Sequence, residues 1–337
     1  MFTNYFKTAI RNLLKNKTFG LLNIVGLGVG VACAALILLW VEDELTFNHH
    51  HANRNHIYRI MENQTYDGTT FTFGSSPGVL AGGMQTEIPG IKSTARTDWG
   101  ARKLFSLGDK AIYEQGMYVD STFLKIFAFP MLRGDRNKMF SQLHSLVITE
   151  SMAKKFFGKD DPIGKTLKIS NKDEYVISGV IEDLPKNSSF KFDWLAPFKV
   201  FEDQNTWLQN WGSNGVQTYV EVQPNANVDA INKKLYGYIQ TKNAEAIARP
   251  FLFSMNDWRL YNKFEQGKQV GGRIEYVRLF TTIAWIILII ACINFMNLAT
   301  ARSEKRAKEV GVRKVIGAGK GSLVAQFLSE SLLMSFI

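Results

Sequence analysis

Residues 279–301, LFTTIAWIILIIACINFMNLATA, run for 23 positions without a formal charge and constrain the chain more than any other stretch. In hydrocarbon every backbone N–H and C=O must find a partner within the protein, so a single run of this kind is helical. At about 1.5 Å per residue it reaches roughly 35 Å, enough to cross a hydrocarbon layer of roughly 30 Å with some tilt. The next segment, 302–320, sets seven Lys and Arg against only Glu304 and Glu309. Short basic flanks stay cytoplasmic, which places residue 302 inside.

A second run, residues 19–41, is also 23 residues long and uncharged, and Lys7, Arg11, Lys15 and Lys17 precede it with no acid among them. It enters the membrane from the cytoplasm. A cleaved signal peptide would be shorter and end in a small-residue exit site, whereas here the apolar run continues past Cys33, which also argues against a lipoprotein box. Gly26, Gly28 and Gly30 are no dinucleotide fingerprint, because no strand precedes them; small residues in a span let another helix approach. Ahead of it, Phe2, Phe6, Ala9, Ile10, Leu13 and Leu14 fall near helical spacing opposite Lys7, Arg11 and Lys15, the pattern of an interfacial amphipathic helix over 1–18. The mean hydropathy of -0.08 would suit a soluble protein. It averages two membrane segments with a polar middle. The net charge of +10 lies mostly beside the two apolar runs, which excludes a nucleic-acid role.

With both runs helical and both basic flanks inside, residues 42–276 lie outside the membrane. This middle has no cysteine, the only two being Cys33 and Cys292 in the apolar runs, so its core must hold it without disulfides. The polar run 42–56, with His49, His50 and His51, reads as a solvated linker; three adjacent side chains cannot converge on one ion. Beyond it, IYRIMENQ, TFTF, 102–112, YVISGVIEDL, 218–222 and FLFSMNDW alternate as strands, while 77–87 and 228–242 carry helical spacing. Asp160, Asp161 and Lys165 are surface-turn chemistry around Pro162 and Gly164. The fold class expected is an α+β membrane protein, with transmembrane helices flanking a mixed α/β extracytoplasmic domain. In that domain 52–112 and 216–276 form a porter-like β-α-β subdomain and 113–215 a strand-rich insertion.

No catalytic, cofactor or metal site emerges. Gly317 to Ser322 has glycines and a lysine, but a phosphate loop needs Ser or Thr directly after the lysine and a strand before the loop. Residues 303–316 read as a short helix with Ala307, Val310 and Val315 on one side, interrupted at Gly311 and stopped by Gly317. The segment 321–337 turns apolar again as the start of a third span, so the sequence is expected to be part of a longer protein.

The stretches KTAIRNLLKNKTFGLLNIVGLGVG (7–30), NRNHIYRI (53–60), VITESMAKKFFGKDDPIGKTL (147–167), SGVIEDLPKNSSFKFD (178–193) and INFMNLATARSEKRAKEVGVRKVIGAGK (293–320) resemble the MacB/FtsX-type ABC transporter permeases, particularly the tandem kind of Bacteroidetes-like bacteria. The resemblance implies spans at 19–41 and 277–301 in the inner membrane, a periplasmic core domain at 42–276, and a cytoplasmic coupling helix at 302–320. It further implies a separate ABC ATPase, a permease dimer or a tandem second half, and a periplasmic adaptor with an outer-membrane channel. In this reading Glu309, Gly311, Arg313, Lys314, Gly317 and Ala318 couple to the ATPase. Charges orient the helix, and glycines allow close approach and the turn back to the membrane. Two rival functions are a membrane-anchored sensory receptor and a regulator of cell-wall hydrolases. The receptor would continue into heptads, which Gly311, Gly317, Gly319 and Gly321 break. The topology predicts that a cysteine at Ser189 is labelled by an impermeant maleimide in intact cells and one at Ser303 is not; external labelling of Ser303 would reverse it.

Overall fold

The computed structural model describes residues 17–305 together with 311, 312, 314–317, 319, 321 and 324. The chain divides into two compact units, one of Glu44–Ile274 and one holding the sequence on either side of it. Residues 1–16 of the expected amphipathic helix, and all but 321 and 324 of the expected third apolar run, lie outside the described residues.

Helix α1 (Lys17–Leu45) runs four residues beyond the apolar stretch read from sequence. The stretch after it is not the solvated linker expected over 42–56. Asn48, in the left-handed conformation at φ 63°, is buried, and so is His51. The Asn48 amide donates to Ser189 Oγ at 2.8 Å and its Oδ1 accepts from Ser189 N at 2.8 Å, which stitches this stretch to a loop 141 residues away.

The first half of the domain comprises β1 (Ile57–Tyr66), β2 (Thr69–Phe73), β3 (Ser76–Pro77), α2 (Leu80–Glu87) and β4 (Ile91–Thr97). Asp67 and Gly68, both at positive φ, make the tight turn that folds β2 back on β1. The chain then forms β5 (Ala101–Leu107), β6 (Lys110–Val119), α3 (Phe123–Ile126), β7 (Met131–Gly134) and β8 (Ser145–Thr149). After these come α4 (Glu150–Phe157), β9 (Thr166–Ile169), β10 (Asp173–Ile181), β11 (Trp194–Pro197) and α5 (Phe198–Gln204). It returns through β12 (Asn214–Val222), α6 (Val228–Leu235), α7 (Tyr238–Lys242) and β13 (Arg249–Ser254), and ends with the hairpin β14 (Lys263–Glu265) and β15 (Lys268–Gly271) before helix α8 (Arg273–Lys305).

Strands β4, β12, β1 and β13 lie side by side, all antiparallel, with α2 and α6 as their crossovers, a split β-α-β arrangement. Leu80, Met84 and Ile88 near α2 and Ile231, Leu235 and Ile239 of α6 and α7 bury against Ile60, Val220 and Leu252 of the sheet. The single helix expected over 228–242 is two, broken at Gly237; Asn227 caps the first by accepting from Ala230 N at 3.0 Å.

The middle strands continue the same sheet as β11-β8-β10-β9-β5-β6, and β11 pairs back on β6 in parallel, closing a six-stranded ring. Closure leaves no free edge on this ring, so it needs no charged guard strands. Its filling is aromatic and aliphatic: Phe105, Tyr175, Trp194, Leu146, Ile148 and Ile177, with Met152 and Phe156 of α4 against it. Helix α4 starts where Thr149 accepts from Met152 N and stops at Gly158, φ 63°. The strand expected at 102–112 is in fact a hairpin turning at Gly108, φ 56°. Gly116 is obligatory at the seam, because a Cβ there would lie 2.2 Å from Trp194 O.

A third cluster, Phe123, Phe127, Phe129, Phe190, Phe192, Tyr219, Phe253 and Trp258, joins the two subdomains. His51 sits against Phe127, Phe129 and Phe190 with ring centroids 5.5, 5.3 and 6.4 Å away, and its Nε2 is buried without a partner. Burial, with a smaller contribution from His50, pushes its pKa down to about 3. The unfolded side chain titrates near 6.5, so this neutral imidazole stabilises the domain above pH ~6.5, and the stabilisation is lost as pH falls toward ~3. Glu62 and Asp98, raised by burial to about 8 and about 6, act in the opposite sense, losing stability as pH rises. Comparison with His51→Phe isolates the histidine. The variant domain is expected to escape on the order of 4 kcal/mol of acid destabilisation between pH 7 and pH 3, read from urea midpoints. Equal losses in the two proteins would disprove the assignment.

Candidate functional site

Helices α1 and α8 form the core of the membrane unit. Spans Ile24–Leu45 and Arg273–Asn297 are long and apolar enough to cross a bilayer. Leu36, Leu39, Ile286, Ile289, Ile290 and Ile293 are exposed along them, a surface that suits lipid rather than water. Contact between the helices depends on small residues. A Cβ on Gly30 would lie 2.5 Å from Ala291 Cβ, and one on Gly26 3.2 Å from the Asn294 amide nitrogen, whereas Gly28 faces open space. Nearer the outer end, Trp40 meets Phe280 edge-on with ring centroids 5.2 Å apart. Four residues after Trp40, one helical turn on, comes Glu44.

Glu44 is 3% exposed at its side chain and is held, within the Glu44–Ile274 unit, by two arginines. Arg259 donates from Nε to Oε2 at 2.7 Å and from Nη2 to Oε1 at 2.8 Å. Arg273, the first residue of α8, donates from the same two nitrogens at 2.6 Å each. Each carboxylate oxygen thus accepts from both guanidinium forks. The Arg259 guanidinium also stacks 4.3 Å above the Phe47 ring. Nothing in the local sequence announces this group, since its members are 215 and 229 residues from Glu44.

Of the residues read as coupling elements, Gly311 and Lys314 are helical and Gly317 lies in a turn at φ 97°, its N–H donating to Lys314 O at 3.1 Å. Gly311, where an interruption is expected, is itself helical, while 306–310 before it and 313 after it lie outside the described residues. A left-handed glycine at the end of a helix is the usual stop, since any Cβ there is strained. Val312, Val315 and Ile316 beside it are 60%, 88% and 79% exposed, an apolar surface open to a partner or lipid. Glu309, Arg313 and Ala318 lie outside the described residues. Among the described residues no three His, Cys, Asp or Glu come together as metal ligands.

Two bilayer-length helices bracketing a split β-α-β domain with an inserted closed ring define a membrane protein whose bulk is an extracytoplasmic domain. Residues 21–237 match the MacB-like periplasmic core domain and residues 281–337 the FtsX-like permease C-terminal domain, and the chain belongs to the MacB/FtsX-type ABC transporter permeases. It is 26% identical over 257 residues to the macrolide export ATP-binding/permease protein MacB of Aggregatibacter actinomycetemcomitans, covering 75% of this chain and 36% of that protein. It is 23% identical over 197 residues to the ABC transporter permease YknZ of Bacillus subtilis, covering 57% of this chain and 45% of that one. The chain therefore spans less than half the length of these curated relatives. A crystal structure of a domain assigned to a permease of Porphyromonas gingivalis superposes with a TM-score of 0.52 at 24% identity, over 68% of this chain and 99% of that one, a likeness of fold.

The helix contact yields a prediction. With Cys33 and Cys292 replaced by Ala, cysteines at positions 40 and 280 should be joined by a short thiol cross-linker. Gly30→Leu should cut the yield several-fold by overpacking worth about 1–3 kcal/mol, while Gly28→Leu leaves it unchanged. Equal yields in the two variants would mean that the close approach at Gly30 does not hold the pair.

Proposed function

We propose that this chain is the part of an ABC transporter permease that carries ATP-driven motion of a separate ATPase across the inner membrane to a periplasmic domain. Residues 42–276 are then periplasmic, in a multi-pass protein. The observation that carries this reading is the FtsX-like match over 281–337, which takes in α8 from residue 281 on, the basic segment and the apolar residues beyond it. A basic helix between two apolar runs is placed to dock into a partner's groove, with Ala307 and Val310 as its apolar side and its cations steering it toward acidic walls. Glu309, Arg313 and Lys314 orient that helix; Gly311, Gly317 and Ala318 permit close approach and the turn back. The positive φ of Gly317 supports that last role.

No residue of the sequence forms a phosphate loop, so in this reading ATP is bound elsewhere and no bond is made or broken by these residues. The permease works as a dimer or with a tandem second half. For export it would operate with a periplasmic adaptor and an outer-membrane channel. The tight grip on both helix ends favours transmission of force as the common step, whether the output is cargo export or control of a cell-wall hydrolase.

In the full-length protein, photo-cross-linkers at Ala307 or Val310 should capture the co-expressed ATPase. Gly317→Val combined with Glu309→Gln should lower ATP-driven domain motion at least fivefold without reducing membrane insertion. If neither position cross-links and the double variant behaves as wild type, the segment is a topological anchor only.

A further inference from the structure

The proposed contact with the ATPase does not use Glu44, Arg259 and Arg273, yet their geometry is tightly constrained. A carboxylate offers about four acceptor positions. Here all four are taken, two on each oxygen, by two guanidinium forks. A fork fixes the carboxylate plane as well as its distance, which a lysine's single rotating ammonium cannot do.

The three residues sit at mechanically distinct places. Glu44 is in the last turn of α1 and Arg273 opens α8. Arg259 follows Trp258, which is buried in the aromatic cluster and whose Nε1 donates to Phe253 O at 3.0 Å. The backbone repeats the tie, because Ile274 N donates to Leu260 O at 3.0 Å. Thus the end of one membrane helix, the start of the other and a strand-anchored segment of the domain core meet on a single buried carboxylate.

We propose that Glu44, Arg259 and Arg273 are positioning residues that clasp the outer ends of the two membrane helices to the domain, so that helix movement is delivered to the domain rather than absorbed by slack in the connecting turns. This rests on the proposed force-transmitting function. The clasp works by direction, since two opposed forks resist both separation and rotation of the carboxylate. Conserving charge alone is therefore insufficient.

The test uses the full-length permease reconstituted with its co-expressed ATPase, with Cys33 and Cys292 replaced by Ala. An environment-sensitive fluorophore is placed at exposed Ile293 on α8 or at exposed Tyr113 in the domain. In the wild type both labels respond to ATP. In Glu44→Gln, Arg273→Gln and Arg273→Lys the response at 293 and the ATPase rate should stay within twofold, while the response at 113 falls at least threefold. Arg273→Gln leaves Arg259 on Glu44, which guards against a variant that fails to fold, and the domain's thermal midpoint is read alongside. An undiminished response at 113 in all three variants would overturn the clasp, as would full activity of Arg273→Lys, which would reduce the group to simple charge neutralisation. A wild type whose label at 293 ignores ATP would instead sink the force-transmitting function itself, before any variant is compared.

Discussion

The constraint on which the rest depends is that backbone polar groups cannot stay unpaired in hydrocarbon. It makes helices of residues 19–41 and 279–301 whatever their local propensities, including the glycines at 26, 28 and 30, which would weaken a helix in water. Once both runs are membrane helices, the chain between them must begin and end beside the membrane. The domain answers with elements that bring its ends together: β1 near the beginning and β13 near the end pair directly over six residues, from Tyr58 opposite Ser254 to Asn63 opposite Arg249. The split β-α-β topology is what places first and last strands side by side. More than a hundred residues, 98–213, can then be inserted between β4 and β12 without moving the ends, because those two strands are themselves neighbours.

Polar burial in this domain is organised by type. Glu44 stays charged in a buried place by filling every acceptor position with arginine donors. His51 and Glu62 instead take the route open to groups with little pairing, which is to be neutral: His51 among phenylalanine rings and Glu62 with a single amide donor, Gln64 at 3.3 Å. Arg96 is an intermediate case, bonded to Asp120 and Glu202 and stacked 4.3 Å from Phe198, so it joins β4 to the turn after β6 and to α5. The first of these arrangements gives direction and the second gives only packing. That difference singles out the arginine–glutamate group as a mechanical element.

The sequence carries this fold unevenly, and the reason is the range of each signal. Uncharged runs, cation clusters and two-residue alternation are local, so the membrane helices, the mixed α/β domain and strands such as β1 and β12 are readable from the residues. Turn chemistry inside an alternating run is easily missed: 102–112 keeps its pattern through Gly108 and Asp109, which hides the β5–β6 hairpin. The closed ring is unreadable for another reason. It depends on β11 reaching β6, and its only trace is Gly116, whose absent side chain makes room for Trp194 some eighty positions later. His51 shows the same limit, since a histidine run is polar by composition and nothing nearby reveals the phenylalanines that enclose it.

The candidate site divides along the same line. The segment proposed to couple to the ATPase is legible because glycine and charge spacing near a membrane segment is a local pattern, whereas Glu44 looks like one acid in a polar run, EDELTFNHHH. It differs from Glu42 and Asp43, both exposed, in helical phase. Glu44 is four residues from Trp40, so both lie on the face of α1 where Trp40 meets Phe280. The helix continues to Leu45, and one turn after the aromatic packing of Trp40 comes the forked ion pair of Glu44. An arginine–carboxylate pair placed deeper would face a larger desolvation cost, and one placed on a flexible linker would lose its direction. The last turn of the helix, with its backbone fixed, is where such a pair can be directional.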